Sequence, residues 1–234
     1  MATAVVTGAA RGIGEAIGRR LVADGYEVAL TDIDEGVERV AAELGARAFA
    51  HDVRELASWE GLVAQLDDVH VLVNNAARTE FRSFFEIGVE EWDDVLATNL
   101  RGTYLGCRVV GAALRERGAG RIVNLASDAA FAATGGSGAH YAASKAGVVA
   151  VTRRAATELA PHGVTVNAIA PAAIDGPLAR EVLRDRLEEK LADIPVGRLG
   201  RGEEVAALVS FLVSDDAGYV TGATFDVNGG VLMR

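Results

Sequence analysis

The stretch Ala2-Thr3-Ala4-Val5-Val6-Thr7-Gly8-Ala9-Ala10-Arg11-Gly12-Ile13-Gly14 decides the fold. Its first half is a short apolar run rich in Val and Thr, which reads as a β-strand. Its second half sets glycines at 8, 12 and 14 between that strand and a helix running to about Asp24. Glycine permits a tight turn and lets backbone N–H groups approach a pyrophosphate, which the positive end of a helix attracts. The spacing G-x-x-x-G-x-G differs from the general G-x-G-x-x-G fingerprint, and a purely structural turn accounts for these glycines equally well.

Outward from this turn a strand–helix rhythm continues. Glu27 to Thr31 reads as a second strand finishing at Asp32, followed by a helix over about Glu35 to Leu44. Arg47 to His51 is a third strand ending in Asp52-Val53; a helix over about Glu55 to Leu66 leads to a fourth strand, His70 to Asn74. The second half has a long helix from about Glu90 to Glu116, strand five from Arg121 to Ala126, and a helix from Tyr141 to about Pro161. Strand six runs from Val164 to Ala170, a last helix from Glu203 to Val213 and a last strand from Ala223 to Val227. Such alternation predicts an α/β, doubly wound fold: parallel strands joined by right-handed helical crossovers. The strands are apolar runs, as expected when helices cover both sheet faces. No linker or repeat breaks the pattern, so a single domain over residues 1–234 is expected. Pro171 to about Gly202 lacks a clear strand; its charged centre, Glu181 to Lys190, reads as a mobile helical lid within about 172–202. The helix after Tyr141 is apolar round much of its circumference, which predicts packing on the sheet and on another subunit.

Net charge is −10. That argues against nucleic acid or an anionic membrane as partner, both of which attract a basic face. There is no basic leader and no long uncharged apolar run, so a soluble, cytoplasmic protein is expected. Cys107 sits in an apolar helical run and reads as a buried structural thiol. The histidines at 51, 70, 140 and 162 lack metal-ligand spacing, so no metal is expected. Ser137 lies outside any G-x-S-x-G elbow, which removes a hydrolase reading. Asp67-Asp68, Glu90-Glu91 and Asp93-Asp94 read as solvated helix ends. His140 could line a pocket or be an ordinary loop histidine.

Two features carry chemistry. Asp32 ends strand two, where a carboxylate can accept both hydroxyls of an adenosine ribose and repel a 2′-phosphate, so NAD is expected over NADP. A helix cap or a surface charge is the plainer reading of Asp32, and Arg11 pulls toward NADP. In Tyr141-Ala142-Ala143-Ser144-Lys145, the four-residue spacing puts Tyr141 and Lys145 on one helix face. The cation is expected to lower the phenol pKa and so fit Tyr141 to pass protons to a carbonyl or alcohol oxygen. Taken alone, two neighbours on a helix surface would read the same.

With Thr7-Gly8-Ala9-Ala10-Arg11-Gly12-Ile13-Gly14, Asn74-Asn75-Ala76-Ala77, Asn99, Ser127 and Tyr141-Ala142-Ala143-Ser144-Lys145 together, the chain resembles the short-chain dehydrogenase/reductases. The resemblance extends to Tyr219-Val220-Thr221-Gly222 and Val227-Asn228-Gly229-Gly230. It implies a seven-stranded parallel sheet, a dinucleotide across the strands' carboxyl ends, and a homotetramer or homodimer built partly on the Tyr141 helix. By position it implies Tyr141 as general acid/base and Lys145 as its partner on the nicotinamide ribose. Ser127 would position the substrate oxygen, and Asn99 would hold a relay water. Coenzyme contacts would come from Gly8, Arg11, Gly12, Ile13, Gly14, Asp32, Ile33, Asp52, Val53, Asn75, Ala76, Ala77, Tyr141, Lys145, Pro171 and Ile174. The expected reaction is reversible hydride transfer between NAD(H) and a small secondary alcohol or ketone. The alternative is an NADP-dependent 3-oxoacyl-(acyl-carrier-protein) reductase, and a remoter one a non-catalytic dinucleotide sensor. Four positions depart from the family pattern. Ser127 lies 14 residues before Tyr141, one more than usual, with the insertion expected in Ala132–Gly138. Ala77 and Ala172 replace Gly, and Gly176 replaces Thr.

Overall fold

The computed structural model describes residues 2–132, 137–176, 179 and 187–234. Strand β1 (Thr3–Thr7) is buried along its whole length, with Ala4 and Val6 in one apolar core and Val5 in the other. The period of two in a strand imposes that division when both faces are covered. β1 lies between β2 (Glu27–Asp32) and β4 (Val69–Asn74), with β3 (Arg47–Ala50) outside β2. Beyond β4 come β5 (Gly120–Leu125), β6 (Val164–Pro171) and β7 (Thr224–Val227). The seven-stranded sheet has the order β3-β2-β1-β4-β5-β6-β7 and is parallel throughout, as expected. The chain reverses direction across the sheet between β1 and β4, so a crevice opens at their carboxyl ends.

The helices are α1 (Gly12–Ala23), α2 (Gly36–Leu44), α3 (Leu56–Val63), α4 (Val89–Leu96), α5 (Gly102–Arg117), α6 (Ala139–Leu159), α7 (Leu187–Ala192) and α8 (Gly202–Val213). α1, α2 and α8 cover one face through Ile17, Leu21, Val40 and Val209; α3, α5 and α6 cover the other through Trp59, Val110, Leu114 and Leu159. The expected single helix from Glu90 to Glu116 is instead α4 and α5 joined by a π-helical turn, Ala97–Arg101. The wider turn carries an extra residue and brings Asn99 to full burial. Of the expected lid, α7 is helical. Residues 177, 178 and 180–186, most of its charged centre, lie outside the described residues, as do 133–136 in the insertion loop.

The opening glycines hold the turn in place. Gly8 and Gly12 have φ of 66° and 64°, which L side chains rarely adopt. A Cβ on Gly8 would come within 2.7 Å of the Ala76 Cα, and one on Gly14 would overlap the Gly8 carbonyl oxygen. Gly14→Ala is therefore expected to cost about 1–3 kcal/mol of stability through backbone displacement. It should also weaken coenzyme binding; urea denaturation with a coenzyme fluorescence titration measures both.

Candidate active site

At the β1–β4 crevice the glycine turn is clamped by side chains of its neighbours. The Thr7 hydroxyl oxygen accepts the backbone N–H groups of Asn75 and Ala76, both at 3.0 Å. The Asn75 amide returns two bonds, to the carbonyls of Thr7 and Gly8 at 2.9 Å. Asn75 thus shapes the loop, while Ala76 and Ala77 line its mouth with small side chains. At Gly12 nothing lies within 4 Å of where a Cβ would sit, so the start of α1 faces open space. The turn around Gly12, Ile13 and Gly14 therefore fits the pyrophosphate of a dinucleotide.

Asp32 stands beside this turn. One carboxylate oxygen accepts the Ala10 N–H and the other the Asp34 N–H, each at 3.0 Å. Each oxygen keeps a lone pair for a ribose hydroxyl. Arg11 is drawn to Asp34 at 3.5 Å, an exposed pair. Ile33, next to Asp32, is 73% exposed. Asp52 is engaged from its own loop: Arg54 binds its carboxylate through Nε and Nη2 at 3.0 and 2.7 Å and lowers its pKa. Its neighbour Val53 is buried against Gly102. Pro171 ends β6 in full burial, and Ile174 makes an isolated parallel bridge to Gly200 with its side chain on the core.

The proton-transfer end is built from β5, α6 and the π turn. Ser127 follows β5; its hydroxyl donates to Asp128 at 2.9 Å and accepts the Ala129 N–H at 3.2 Å. Asn99 spends its carboxamide on Arg78 N–H (2.7 Å), Arg78 carbonyl (2.9 Å) and Ser144 hydroxyl (3.0 Å). It is therefore a bracket between the β4 loop and α6, and its own carbonyl accepts the Thr103 hydroxyl. Lys145 is buried, donates to the Leu125 carbonyl at 2.6 Å, and has its Nζ 5.7 Å from the Tyr141 ring centre.

Beside Lys145 the Tyr141 phenol is nonetheless shifted up rather than down. Burial pushes the phenol up to about 12; its hydrogen bond with Ser127 pulls the other way and the Asp128 charge adds to the rise. By surface Tyr141 is half-buried. Burial also draws Lys145 down to about 8. Desolvation opposes charge on both groups, and the ammonium faces a carbonyl and the ring rather than the hydroxyl.

Two further expectations change. Glu91 and Asp94 are not merely solvated helix ends: Asp94 accepts from Arg54 at 2.8 Å and pairs with Arg78, and Glu91 meets His140 at 2.9 Å and Arg82 at 3.3 Å. His140 is neither pocket lining nor loop. It is the second residue of α6, wholly buried, and its Nδ1 accepts the Tyr141 backbone N–H at 2.8 Å. The sequence held one overlooked signal: Gly138 at the N-cap has no side chain to satisfy the first N–H groups of α6, a service worth about 1 kcal/mol.

The comparisons with known proteins agree with this geometry. A protein-family model described as enoyl-(acyl carrier protein) reductase matches residues 8–232. The 3-oxoacyl-[acyl-carrier-protein] reductase of Escherichia coli K12 is 38% identical, over 98% of this chain and 97% of its own. The chain belongs to the short-chain dehydrogenase/reductase family.

Two solved members of the short-chain dehydrogenase/reductase fold lie close. A 3-oxoacyl-[acyl-carrier protein] reductase from Brucella melitensis with bound NAD superposes with a TM-score of 0.92 at 32% identity, covering 100% of this chain and 92% of that one. A candidate NAD(P)-dependent gluconate 5-dehydrogenase from Beutenbergia cavernae with bound NADP gives 0.94 at 37%, covering 98% and 96%. This short-chain dehydrogenase/reductase is thus an NAD(P)-dependent oxidoreductase of the ketoreductase type, not a silent sensor. Among the described residues no helix is long and apolar enough to cross a membrane.

The Lys145 shift has a measurable consequence. Its folded value near 8 lies below the 10.5 of a free lysine, so between those values the unfolded chain binds more protons and stability rises with pH. Tyr141, raised above 10, opposes this only at higher pH. In urea denaturation of the coenzyme-free protein, wild type is expected to gain about 2 kcal/mol over Lys145→Met between pH 8 and 10. Parallel curves for the two proteins would mean that Lys145 is not desolvated.

Proposed function

We propose that this chain reduces the ketone of a 3-oxoacyl thioester, reversibly, with NAD(H) as coenzyme. The observation that carries the reaction is the Tyr141 phenol within hydrogen-bond reach of Ser127 and beside the buried Lys145, whose Nζ lies 5.7 Å from its ring centre. A phenol so placed can pass a proton to a carbonyl oxygen. In the reducing direction the Ser127 hydroxyl, turned from Asp128, would donate to the substrate carbonyl oxygen while Tyr141 delivers the proton to that oxygen as negative charge develops there. When bound, the nicotinamide dinucleotide supplies the hydride. Lys145 and Asn99 hold the two sides of the cleft, through Leu125 and through Arg78 and Ser144.

Coenzyme choice rests on Asp32. Its carboxylate is fixed by two N–H bonds at the adenosine end, where it suits ribose hydroxyls and repels a 2′-phosphate. Asp34 adds a second negative charge and occupies Arg11, the cation best able to favour the phosphate. The near relatives named as 3-oxoacyl reductases support the thioester substrate. The gluconate 5-dehydrogenase neighbour suggests a sugar acid instead, but Asp128 beside Ser127 would repel its carboxylate. A homotetramer or homodimer would use α5 and α6, where Tyr104, Ala143, Ala146 and Ala150 leave a smooth exposed face.

Acetoacetyl-CoA with NADH or NADPH, followed at 340 nm, tests the whole reading. NADH should give the higher kcat/KM, and Asp32→Ser should raise the NADPH value at least about tenfold, one removed charge repulsion. Tyr141→Phe should lose turnover by about a hundredfold or more while still binding NADH. Faster oxidation of gluconate than reduction of acetoacetyl-CoA would overturn the substrate assignment.

A further inference from the structure

Tyr141 is held by its backbone at both ends. Its carbonyl accepts the Ser144 hydroxyl at 2.7 Å, and that hydroxyl accepts from Asn99. Its N–H donates to His140 Nδ1. That N–H is the third of α6 and has no partner within the helix, since the first intrahelical bond runs from Ala142 to the Gly138 carbonyl at 3.1 Å. Because Nδ1 accepts, the proton of the imidazole sits on Nε2, which donates to Glu91 at 2.9 Å. Gly138 gives the ring its room: a Cβ there would overlap the His140 Cε1. Glu91 belongs to α4, the helix that runs directly into the π turn bearing Asn99. Both grips on Tyr141 therefore come from one continuous element.

We propose that His140 is a positioning residue for the acid/base: its Nδ1 fixes the Tyr141 backbone, and Glu91 fixes the ring. The proposal rests on the reading of Tyr141 as the proton donor. The direction of the phenol follows from the backbone at 141, and a displacement of about 1 Å at the reacting atoms costs on the order of a hundredfold in rate. The imidazole does from inside the helix what a capping Ser or Asp does from its edge, and its second nitrogen ties the cap to α4.

The two nitrogens can be tested separately. Asn carries an acceptor where His has Nδ1; Gln reaches to where His has Nε2. His140→Asn should keep kcat for acetoacetyl-CoA with NADH within about threefold, since it keeps the Tyr141 contact, whereas His140→Gln should lose about tenfold or more. The KM for NADH should stay within about twofold in both, because the coenzyme end is untouched. A purely structural histidine predicts that both variants lose thermal stability and kcat together. Equal kcat in the two variants, or a Gln variant faster than Asn, overturns the proposal. If His140→Gln does not fold, Gly138→Ala displaces the ring with His140 intact; undiminished kcat there overturns it equally. Tyr141→Phe run alongside separates the two claims. A Phe variant that keeps turnover ends the acid/base reading and this proposal with it. A dead Phe variant with a fully active Gln variant ends the proposal alone.

Discussion

A buried polar group must find a partner, and at the carboxyl edge of this sheet that obligation builds the site. Helices cover both faces of the parallel strands, so water reaches their ends and little else. Thr7, Asn74, Asn99, Asn124, His140, Ser144 and Lys145 are all buried. Each is paired: Asn74 with Asn124 at 2.8 Å, Asn124 with Thr152 at 2.9 Å, Asn99 with Arg78 and Ser144, Lys145 with Leu125. Leaving one such group unpaired costs about 1–3 kcal/mol, so the set locks loops that sequence separation would otherwise leave loose. The glycine turn, the β4 loop and the start of α6 are rigid because their polar side chains have nowhere else to go.

The same accounting explains the electrostatics. An exposed tyrosine beside a lysine would have its phenol made more acidic. Here burial acts on both groups first, raising one and lowering the other. Between neutral pH and the lysine's value near 8 the resting pair is a neutral phenol beside a cation.

The sheet was readable from residue pattern because parallel strands buried on both sides are plain apolar runs, and glycine with acid punctuation marks their ends. The order of Gly8, Asn75, Asn99, Ser127, Tyr141 and Lys145 pointed to a family in the same way. What stayed hidden depends on contacts between distant residues. Ala97-Thr98-Asn99-Leu100-Arg101 has ordinary helix formers, and only packing makes it a π turn. Glu91 and Asp94 look like surface acids until α6 and Arg54 and Arg78 are brought against them. His140 has no sequence neighbour that betrays its burial; only the missing cap at Gly138 hinted that something must serve the helix start. Helical spacing gives proximity of side chains but neither the direction of an ammonium nor the depth of a pocket, and both bear on the Tyr141 pKa.

The division of labour along the sheet edge also reconciles two signals that otherwise conflict. Asp32 and Asp34, at the carboxyl end of β2, are the pair that the proposed reading gives to the coenzyme's ribose. Ser127 and Tyr141, the proposed proton-transfer pair, meet between β5 and α6. The clamp from Thr7 through Asn75 and Ala76 lies between these centres and joins loops, not charges. A chain can resemble 3-oxoacyl reductases at its proton-transfer end and still carry an acidic pair suited to an unphosphorylated ribose at the other, because nothing in the fold requires the two ends to change together.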